Sequence, residues 1–579
     1  MESTQPVFTR EAACQDCYRC LRECPVKAIT VRNGMAAVDS DRCIYCGTCI
    51  GVCPAEAKTV RNDVPSVKLL LAEREKVVVS LAPSHAAAFP EGRLRAALLL
   101  LGFHAVEETA LGAYVVSRAL ADRIKGDFAA GTLPPLTIST ACTAVVTLVR
   151  KHFPHLVPCL SPLCSPAAAH GRLLREKYGD GAAIVFFGPC PAKKLELRET
   201  GCDLDAVLTF ADLRNWLDDA HLSPDEIPGD SGAPCAPLPA AHGALYPIEG
   251  GMIESIRSFG PLPPLEMHTV SGLDAIIATL GDLDPASLRT PVFLELLACR
   301  SGCIGGACMP RSGRLLTKRS EIRTYADGLR GFVPPPDKVD LSLTYKTLPF
   351  ADETFPAPEM RRALEMIGKH LPEDEINCGG CGYVTCRTFA QAMLQHRAEP
   401  AMCVSYMRSL AMKKANAMMQ SMPAGAVIVD RELRIIECNL RFVQIAAPEL
   451  EEHYLETKSL SEMSIMRIGV LDKYFSAVLA TNQGIPEKQV RMGNRIVSIS
   501  VFPIEPSRLA GGIVQDITQP AVRKERIISK AREVSRRQLT MVQQIASLLG
   551  ENAADSETLL SEIIASFSVG EARKKPHDG

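Results

Sequence analysis

Between residues 77 and 343, short apolar runs alternate with longer stretches of helical periodicity. Val77-Val78-Val79-Ser80-Leu81, Ala183-Ile184-Val185-Phe186-Phe187 and Val292-Phe293-Leu294-Glu295-Leu296 are examples of the short runs. Continuous apolar runs rich in β-branched and aromatic residues suit strands covered on both faces. Their alternation with helices predicts an α/β core with parallel strands. Farther on, Ala426-Val427-Ile428-Val429-Asp430 and Arg434-Ile435-Ile436-Glu437-Cys438-Asn439 predict two strands joined by a turn. Gly493-Asn494 marks a hairpin, followed by alternating Ile496, Ser498, Ser500 and Phe502, and residues 511–518 predict a last strand. Residues 406–421 predict a methionine-rich helix, and the proline-rich stretch 334–356 reads as a connector. Beyond Pro520, the 4-3 spacing of Ile527, Ala531, Val534, Gln538, Met541, Ile545 and Leu548 predicts a helix with a coiled-coil seam. The alternative is an amphipathic helix packed on its own domain.

Composition narrows the function classes. A chain of 579 residues is expected to form about four domains. It is 47% hydrophobic and 22% charged, with a net charge of −2. That balance argues against a nucleic-acid binder. The longest apolar candidate, 94–106, is broken by Arg95, Gly102 and His104, so no membrane span is expected. Met1-Glu2-Ser3-Thr4-Gln5 lacks a basic region followed by an apolar core. The expectation is no secretory signal and a cytoplasmic protein.

The 22 cysteines change the picture. Without an export signal, so many cysteines in a large chain point to metal. Cys14, Cys17, Cys20 and Cys24-Pro25 form C-x2-C-x2-C-x3-C-P, and Cys43, Cys46, Cys49 and Cys53-Pro54 repeat it. This is the bacterial ferredoxin pattern, in which each fourth cysteine ligates the other cluster. Cys14, Cys17, Cys20 and Cys53 are therefore assigned to one 4Fe-4S cluster, and Cys43, Cys46, Cys49 and Cys24 to a second. Zinc would use four ligands in two pairs, not two runs of four.

Three such apolar blocks are followed by a cysteine in a loop: Thr140-Ala141-Cys142, Gly188-Pro189-Cys190 and Ala298-Cys299-Arg300-Ser301-Gly302-Cys303. Loops after strands carry the sites of α/β folds; taken alone, these could be buried apolar cysteines. Their flanks resemble the iron-only (di-iron) hydrogenase family. Ser139-Thr140-Ala141-Cys142 resembles Thr-Ser-Cys-Cys. Gly188-Pro189-Cys190-Pro191-Ala192-Lys193-Lys194-Leu195-Glu196 resembles Met-Pro-Cys-x-x-Lys-Lys-x-Glu. The run from Glu295 to Gly306 resembles Glu-x-Met-Ala-Cys-x-x-Gly-Cys-x-x-Gly-Gly. Ala82-Pro83 and Gly250-Gly251-Met252-Ile253-Glu254 fit as well. The resemblance covers about residues 1–345. It implies an H-cluster, a 4Fe-4S cubane joined to a di-iron unit with CO, cyanide and a bridging dithiolate. Cys142, Cys190, Cys299 and Cys303 would ligate the cubane, Cys303 would bridge to the di-iron unit, and Lys193 would donate to a cyanide. The reaction implied is H2 = 2 H+ + 2 e−.

The departures are equally specific. Catalytic members carry a proton-passing cysteine where this chain has Ala141, which has no proton to give. Residues 113–124 of the adjoining helix hold one acid, Asp122, beside Arg118 and Arg123. Ser161 keeps a hydroxyl that fits the family's proton path, or else caps a helix. Thr143, Val145, Gly188 and Leu297 stand where the family has Pro, Trp, Met and Met near the cluster, and Cys308 either sits close to the cluster or only packs.

Cys378, Cys381, Cys386 and Cys403 follow C-x2-C-x4-C-x16-C and resemble a small four-cysteine 4Fe-4S domain, with zinc the alternative. From Pro423 the chain resembles a PAS domain; its ligand is unknown, Cys438 is read as packing, and His453, its lone histidine, is too little for haem. The organisation expected is a multidomain α/β and α+β protein. It comprises a ferredoxin fold (1–62), an H-cluster domain (63–345), a four-cysteine domain (357–405), a coupling helix (406–421), a PAS domain (422–520) and a C-terminal helix (521–565). The chain resembles the PAS-bearing sensory group of the hydrogenase family. That implies slow turnover, a redox partner such as ferredoxin, di-iron assembly machinery and a homodimer. About 60 residues without a histidine in the helix follow Pro520, so output is expected through a separate kinase or phosphatase. The rivals are a catalytic ferredoxin-linked hydrogenase with a regulatory tail and a non-hydrogenase iron-sulfur electron-transfer scaffold.

Overall fold

The computed structural model describes residues 5–89, 93–199, 203–224, 227, 242–311, 313–329, 339–493, 495–518, 530, 532–538 and 541–542. The two cysteine runs at the start build one backbone pattern twice. Asp16 and Tyr45, each preceding the second cysteine of its run, are left-handed, and so are Tyr18 and Gly47 just after it. Short helices Arg19–Arg22 and Thr48–Val52 follow. Ala28 then donates to Cys24 Sγ and Ala57 to Cys53 Sγ, both at 3.2 Å. Four strands frame these loops. β1 (Val7–Thr9) pairs with β4 (Lys58–Val60), and β2 (Ile29–Arg32) with β3 (Met35–Val38), both antiparallel.

The apolar runs of the middle block form parallel sheets, as expected, but two of them. β5 (Val77–Leu81), β6 (Ala105–Glu108), β8 (Ala183–Gly188) and β9 (Ala206–Thr209) form one, in the order β6-β5-β8-β9. β7 (Leu136–Ile138), β10 (Glu266–Ser271) and β11 (Val292–Leu297) form the other, in the order β10-β11-β7. Every residue of β5, β8 and β11 is buried, which is why those segments read as unbroken apolar runs. The helices Ala110–Ala129 and Pro166–Tyr178 pack on each other beside the first sheet.

The proline-rich stretch is not a free connector. In its described part, residues 339–356, the Leu341 carbonyl accepts from Cys164 N at 2.8 Å and Leu343 N donates to the Pro162 carbonyl at 3.0 Å. The Lys346 carbonyl takes Arg150 Nε at 2.7 Å, and Asp352 pairs with Arg42 at 2.5 Å. Leu163 and Ser342 thereby form an antiparallel bridge, and the stretch finds its partners far away in sequence.

The chain divides into two units, Met1–Met402 and Cys403–Gly579. In the second, the helix Val404–Ser421 precedes a five-stranded antiparallel sheet of order β13-β12-β16-β15-β14. Its strands are β12 (Gly425–Asp430), β13 (Ile435–Cys438), β14 (Ile485–Met492), β15 (Arg495–Glu505) and β16 (Leu509–Asp516). On β15 the core takes Val497, Ile499 and Val501, at most 1% exposed. The alternation seen at Ile496, Ser498, Ser500 and Phe502 is thus the outer face, since strand faces change every residue. Of the heptad seam, only Val534, Gln538 and Met541 lie among the described residues; Ile527, Ala531, Ile545 and Leu548 lie outside them.

Candidate metal centres

The thiols of the N-terminal module group as the ferredoxin pattern requires. Burial pushes Cys20 up, and Cys17, Cys14 and Cys53 push the same way against Lys58. Cys24 is raised to about 11 by burial and by Cys46, and Cys43 to about 12 by burial, Cys46 and Cys24. Cys49 is raised by burial and by Cys46, Cys43 and Cys24. Each fourth cysteine therefore stands with the other run. Thiols that hinder one another's ionisation are a site prepared for cationic iron, which binds thiolates.

The middle domain gathers the four separate loop cysteines. Cys142 caps the helix Thr143–His152 just beyond β7, Cys190 follows β8, and Cys299 and Cys303 follow β11. Burial raises Cys190 to about 12, helped by Cys142. Burial also raises Cys303 to about 12, with Cys142 and Cys190 adding to it. Cys299 is raised by burial and by Cys190, Cys303, Cys142 and Cys46. Cys46 in turn feels Cys142, so the second ferredoxin-like set adjoins this one. Gly302 has φ +85°, and a Cβ there would lie 2.4 Å from the Pro247 carbonyl oxygen. Only glycine fits this turn between Cys299 and Cys303. Among the described residues, no three His, Cys, Asp or Glu side chains stand close enough to share one ion. A cubane takes its thiolates through four different irons, so its ligands surround a body instead of meeting at a point.

Lys193 follows Cys190 on the helix Lys193–Glu199. Its ammonium donates to Ser165 Oγ at 2.9 Å and pairs with Glu196 at 2.5 Å. Burial alone would lower its pKa; Glu196, with Cys190 and Cys142 acting in the same sense, overrides that and raises it. Glu196 is itself held by the Thr143 hydroxyl at 2.7 Å and by the Ser165 hydroxyl. The result is a fixed positive charge beside two of the four thiols, suited to an anionic group. Cys308 is 5% exposed and raised to about 12 by burial, with Asp212 and Cys190 adding to it. It thus stands beside Cys190 as well as packing.

Ser161 does not cap a helix; Ser165 does, accepting from Ala168 N at 3.3 Å. Ser161 is 2% exposed, and its hydroxyl has no hydrogen-bond partner among the described residues. Asp122 points outward with 65% of its side chain exposed, 3.8 Å from Arg118. The buried polar residue of that helix is Ser117, bonded to the Tyr246 hydroxyl at 2.8 Å.

Sequence reasoning missed several buried polar groups, Ser84 and Glu108 among them. The Ser84 hydroxyl, just after Pro83, is buried and unpartnered among the described residues. Glu108, at the end of β6, is 7% exposed and pushed up to about 8 by burial, with Tyr325 donating to it at 2.9 Å. Glu107-Glu108 reads as a surface pair by charge alone; its place at the end of a strand was the available signal.

Parts of the chain are similar to known iron-sulfur proteins. Residues 75–307 match the family model described as iron only hydrogenase large subunit, C-terminal domain. The middle domain is of the iron-only hydrogenase type. Residues 6–54 match a 4Fe-4S dicluster domain, and residues 374–405 a putative Fe-S cluster domain. Iron hydrogenase 1 of Clostridium pasteurianum is 24% identical over 298 residues, covering 42% of this chain and 51% of that protein. A cytosolic Fe-S cluster assembly factor, the NAR1 homolog of Schizosaccharomyces japonicus, is 25% identical over 228 residues, covering 34% of this chain and 44% of that protein. The chain spans about half the length of the curated relatives it matches. A solved FeFe-hydrogenase, studied for oxygen inactivation of its H cluster, aligns with a TM-score of 0.38 at 20% identity, covering 45% of this chain and 88% of that one. No helix among the described residues is long and apolar enough to cross a membrane.

Proposed function

We propose that this chain is a sensory relative of the iron-only hydrogenases, which responds to hydrogen, or to the redox state hydrogen imposes, and reports it through its C-terminal unit. Cys142, Cys190, Cys299 and Cys303 would hold an H-cluster, and the mutual crowding of their buried thiols suits its cubane. When bound, that group supplies the iron chemistry that interconverts hydrogen with protons and electrons. Lys193, kept charged by Glu196, offsets the group's negative charge. Cys14, Cys17, Cys20 and Cys53, with Cys43, Cys46, Cys49 and Cys24, would hold two 4Fe-4S clusters, and Cys378, Cys381, Cys386 and Cys403 a third.

The observation that carries the sensory reading is Ala141. Its methyl cannot pass a proton, the nearby Ser161 hydroxyl hands to no partner among the described residues, and Asp122 faces outward. A site that keeps its metal-binding thiols and loses its proton route is suited to register hydrogen, not to turn it over. The helix Val404–Ser421 starts at Cys403, and its last turn is tied into the β12–β13 domain. Asn439 Nδ2 donates to the Met419 carbonyl at 2.9 Å, and Gln420 Nε2 to the Tyr454 hydroxyl at 3.0 Å. That domain acts as a PAS relay in a homodimer, and the output goes to a separate kinase or phosphatase.

Infrared spectroscopy of the protein matured with di-iron assembly machinery is the test. Bands of CO and cyanide, with dye-linked hydrogen turnover far below that of catalytic hydrogenases, are expected. Turnover as fast as theirs overturns the sensory reading. The match to an assembly factor favours a second reading, a scaffold whose middle domain holds a cubane alone. Absence of those bands after full maturation decides for it.

A further inference from the structure

The β2–β3 hairpin is clamped by the four-cysteine module. Val31 N donates to the Arg397 carbonyl at 2.9 Å, and Arg32 Nε to the His396 carbonyl at 3.2 Å. The Glu399 carboxylate accepts Asn33 N and, at 3.2 Å, Gly34 N. The Arg397 guanidinium donates to the Lys27 carbonyl and lies 3.5 Å from Asp39. Gly382 seals the joint: with φ +90°, it would place a Cβ 2.5 Å from Leu21 Cδ2 and 3.1 Å from Arg22 Cα. Backbone pairing and buried packing together fix one docking geometry.

Two groups lie inside this joint. Lys27 Nζ donates to the Arg22 carbonyl at 2.9 Å, and both Cys24 and Cys381 act on its charge. Tyr383 is 6% exposed, its hydroxyl has no hydrogen-bond partner among the described residues, and Cys381 and Cys24 both act on it. Cys24 stands with Cys43, Cys46 and Cys49, the set that adjoins Cys299 through Cys46. Lys27 N donates to the Cys24 carbonyl at 3.2 Å, so the Arg397 guanidinium on the Lys27 carbonyl ties the four-cysteine module to the Cys24 turn.

We infer that the Cys24 set is a branch point, and that the joint of Leu21, Cys24, Lys27, Cys381, Gly382 and Tyr383 passes electrons between it and the four-cysteine module. This rests on the reading of these sets as 4Fe-4S clusters and deepens the proposed function by giving the signal its route. Each exchange moves one electron: the cluster at Cys24 is oxidised by one as the cluster at Cys381 is reduced by one, with no bond or proton changed. The electron comes from hydrogen in the proposed function and from a low-potential dye in the test. The Lys27 ammonium would favour the reduced form on both sides, and the unpartnered Tyr383 hydroxyl would act in the same sense by donating to a cluster sulfur.

The test uses the full chain loaded with its 4Fe-4S clusters but without the di-iron unit, titrated with a low-potential dye and read by electron paramagnetic resonance. Mutual broadening between the reduced Cys24-set and four-cysteine clusters is expected, and it disappears in Cys378→Ser/Cys381→Ser. Lys27→Met ligates nothing and should retain all iron. At fixed potential it should lower the reduced-to-oxidised ratio of the two clusters beside it by about threefold to tenfold, tenfold being 59 mV for one electron. Tyr383→Phe should act in the same direction. Broadening that survives loss of the four-cysteine cluster overturns the branch. So does a Lys27→Met effect on the Cys14 set alone or on no cluster. A chain that shows the branch yet never takes electrons from hydrogen overturns the proposed function and leaves the branch standing.

Discussion

Ala141→Cys is the most direct perturbation of the proposed site. It adds one thiol next to Cys142, where a partly buried methyl now packs against the core. A positioned acid–base group is worth typically 10²–10⁴-fold in rate. The structure argues for a gain below that range. Ser161 offers a hydroxyl free to rebond, but residues 113–124 of the helix beyond offer only outward-facing Asp122, 65% exposed and beside Arg118. One link of the path returns and the outer links do not. The expected gain in hydrogen oxidation is therefore about tenfold to a hundredfold, or about 1.4–2.7 kcal/mol of barrier. Rates must be normalised to the CO and cyanide infrared bands, so that a change in cofactor loading is not read as a change in proton transfer. An unchanged rate in Ala141→Cys at equal loading, or a wild type already as fast as catalytic relatives, refutes the argument.

Three further outcomes are expected. Glu108 keeps its proton up to about pH 8 in the fold and loses it near pH 4.3 when unfolded, so the native state holds the extra proton between those values and stability falls as pH rises, by about 1.4 kcal/mol per unit. Glu108→Gln should flatten that slope and be the more stable form at pH 8, read from denaturation midpoints by fluorescence of Trp216, the single tryptophan; an unaltered slope counts against a protonated Glu108. Asn439→Ala removes four hydrogen bonds, to Phe442 N and Ala426 N at 2.8 Å and from Nδ2 to the Met419 and Ala424 carbonyls at 2.9 Å; it should destabilise the C-terminal unit by about 2 kcal/mol or more, with the cluster spectra unchanged in calorimetry and absorption run together. Fully matured protein should carry about 18 irons, and truncation after Ser405 should retain them; about 12 to 16 irons without CO or cyanide bands contradicts the cofactor assignment.

What was legible in the sequence follows the range of the interactions involved. The two cysteine runs were readable because a cubane loop is a local object, with its left-handed residues and short helix set within a dozen positions. β5, β8 and β11 were readable because burial on both faces leaves an unbroken apolar run. Cys142, Cys190, Cys299 and Cys303 look unremarkable one by one, and only the resemblance of their flanks assembled them. The stretch 334–356 reads as a connector in the sequence because the partners of its described part, Cys164, Pro162 and Arg150, lie far back in the chain. The docking of the four-cysteine module was invisible for the same reason, since Val31 and Arg397 carry no mark of each other. On β15, two candidate faces each carry apolar residues, and the sheet, not the sequence, decided for Val497, Ile499 and Val501.

Slow chemistry and signalling are linked by time. A catalytic site turning over at about 1–10³ per second clears its electrons in milliseconds to a second. Loss of a proton-passing group slows this by about 10²–10⁴-fold, which lengthens the reduced state to tenths of a second or far longer. Collective motions of packed elements take microseconds to milliseconds. The helix Val404–Ser421 and the sheet it is tied to through Asn439 and Gln420 therefore have time to settle in response to each reduction. Under the proposed function, Ala141 is then what makes the signal last. The same Ala141→Cys variant that speeds turnover should shorten the signal by the same factor. Hydrogen is replaced by inert gas, and the decay of reduced-cluster absorbance is followed alongside the decay of hydrogen-dependent dimerisation or partner binding. Both should quicken together in the variant. A variant whose clusters reoxidise faster while its output decays at the wild-type rate would separate output from cluster charge and remove Ala141 from the account of signalling.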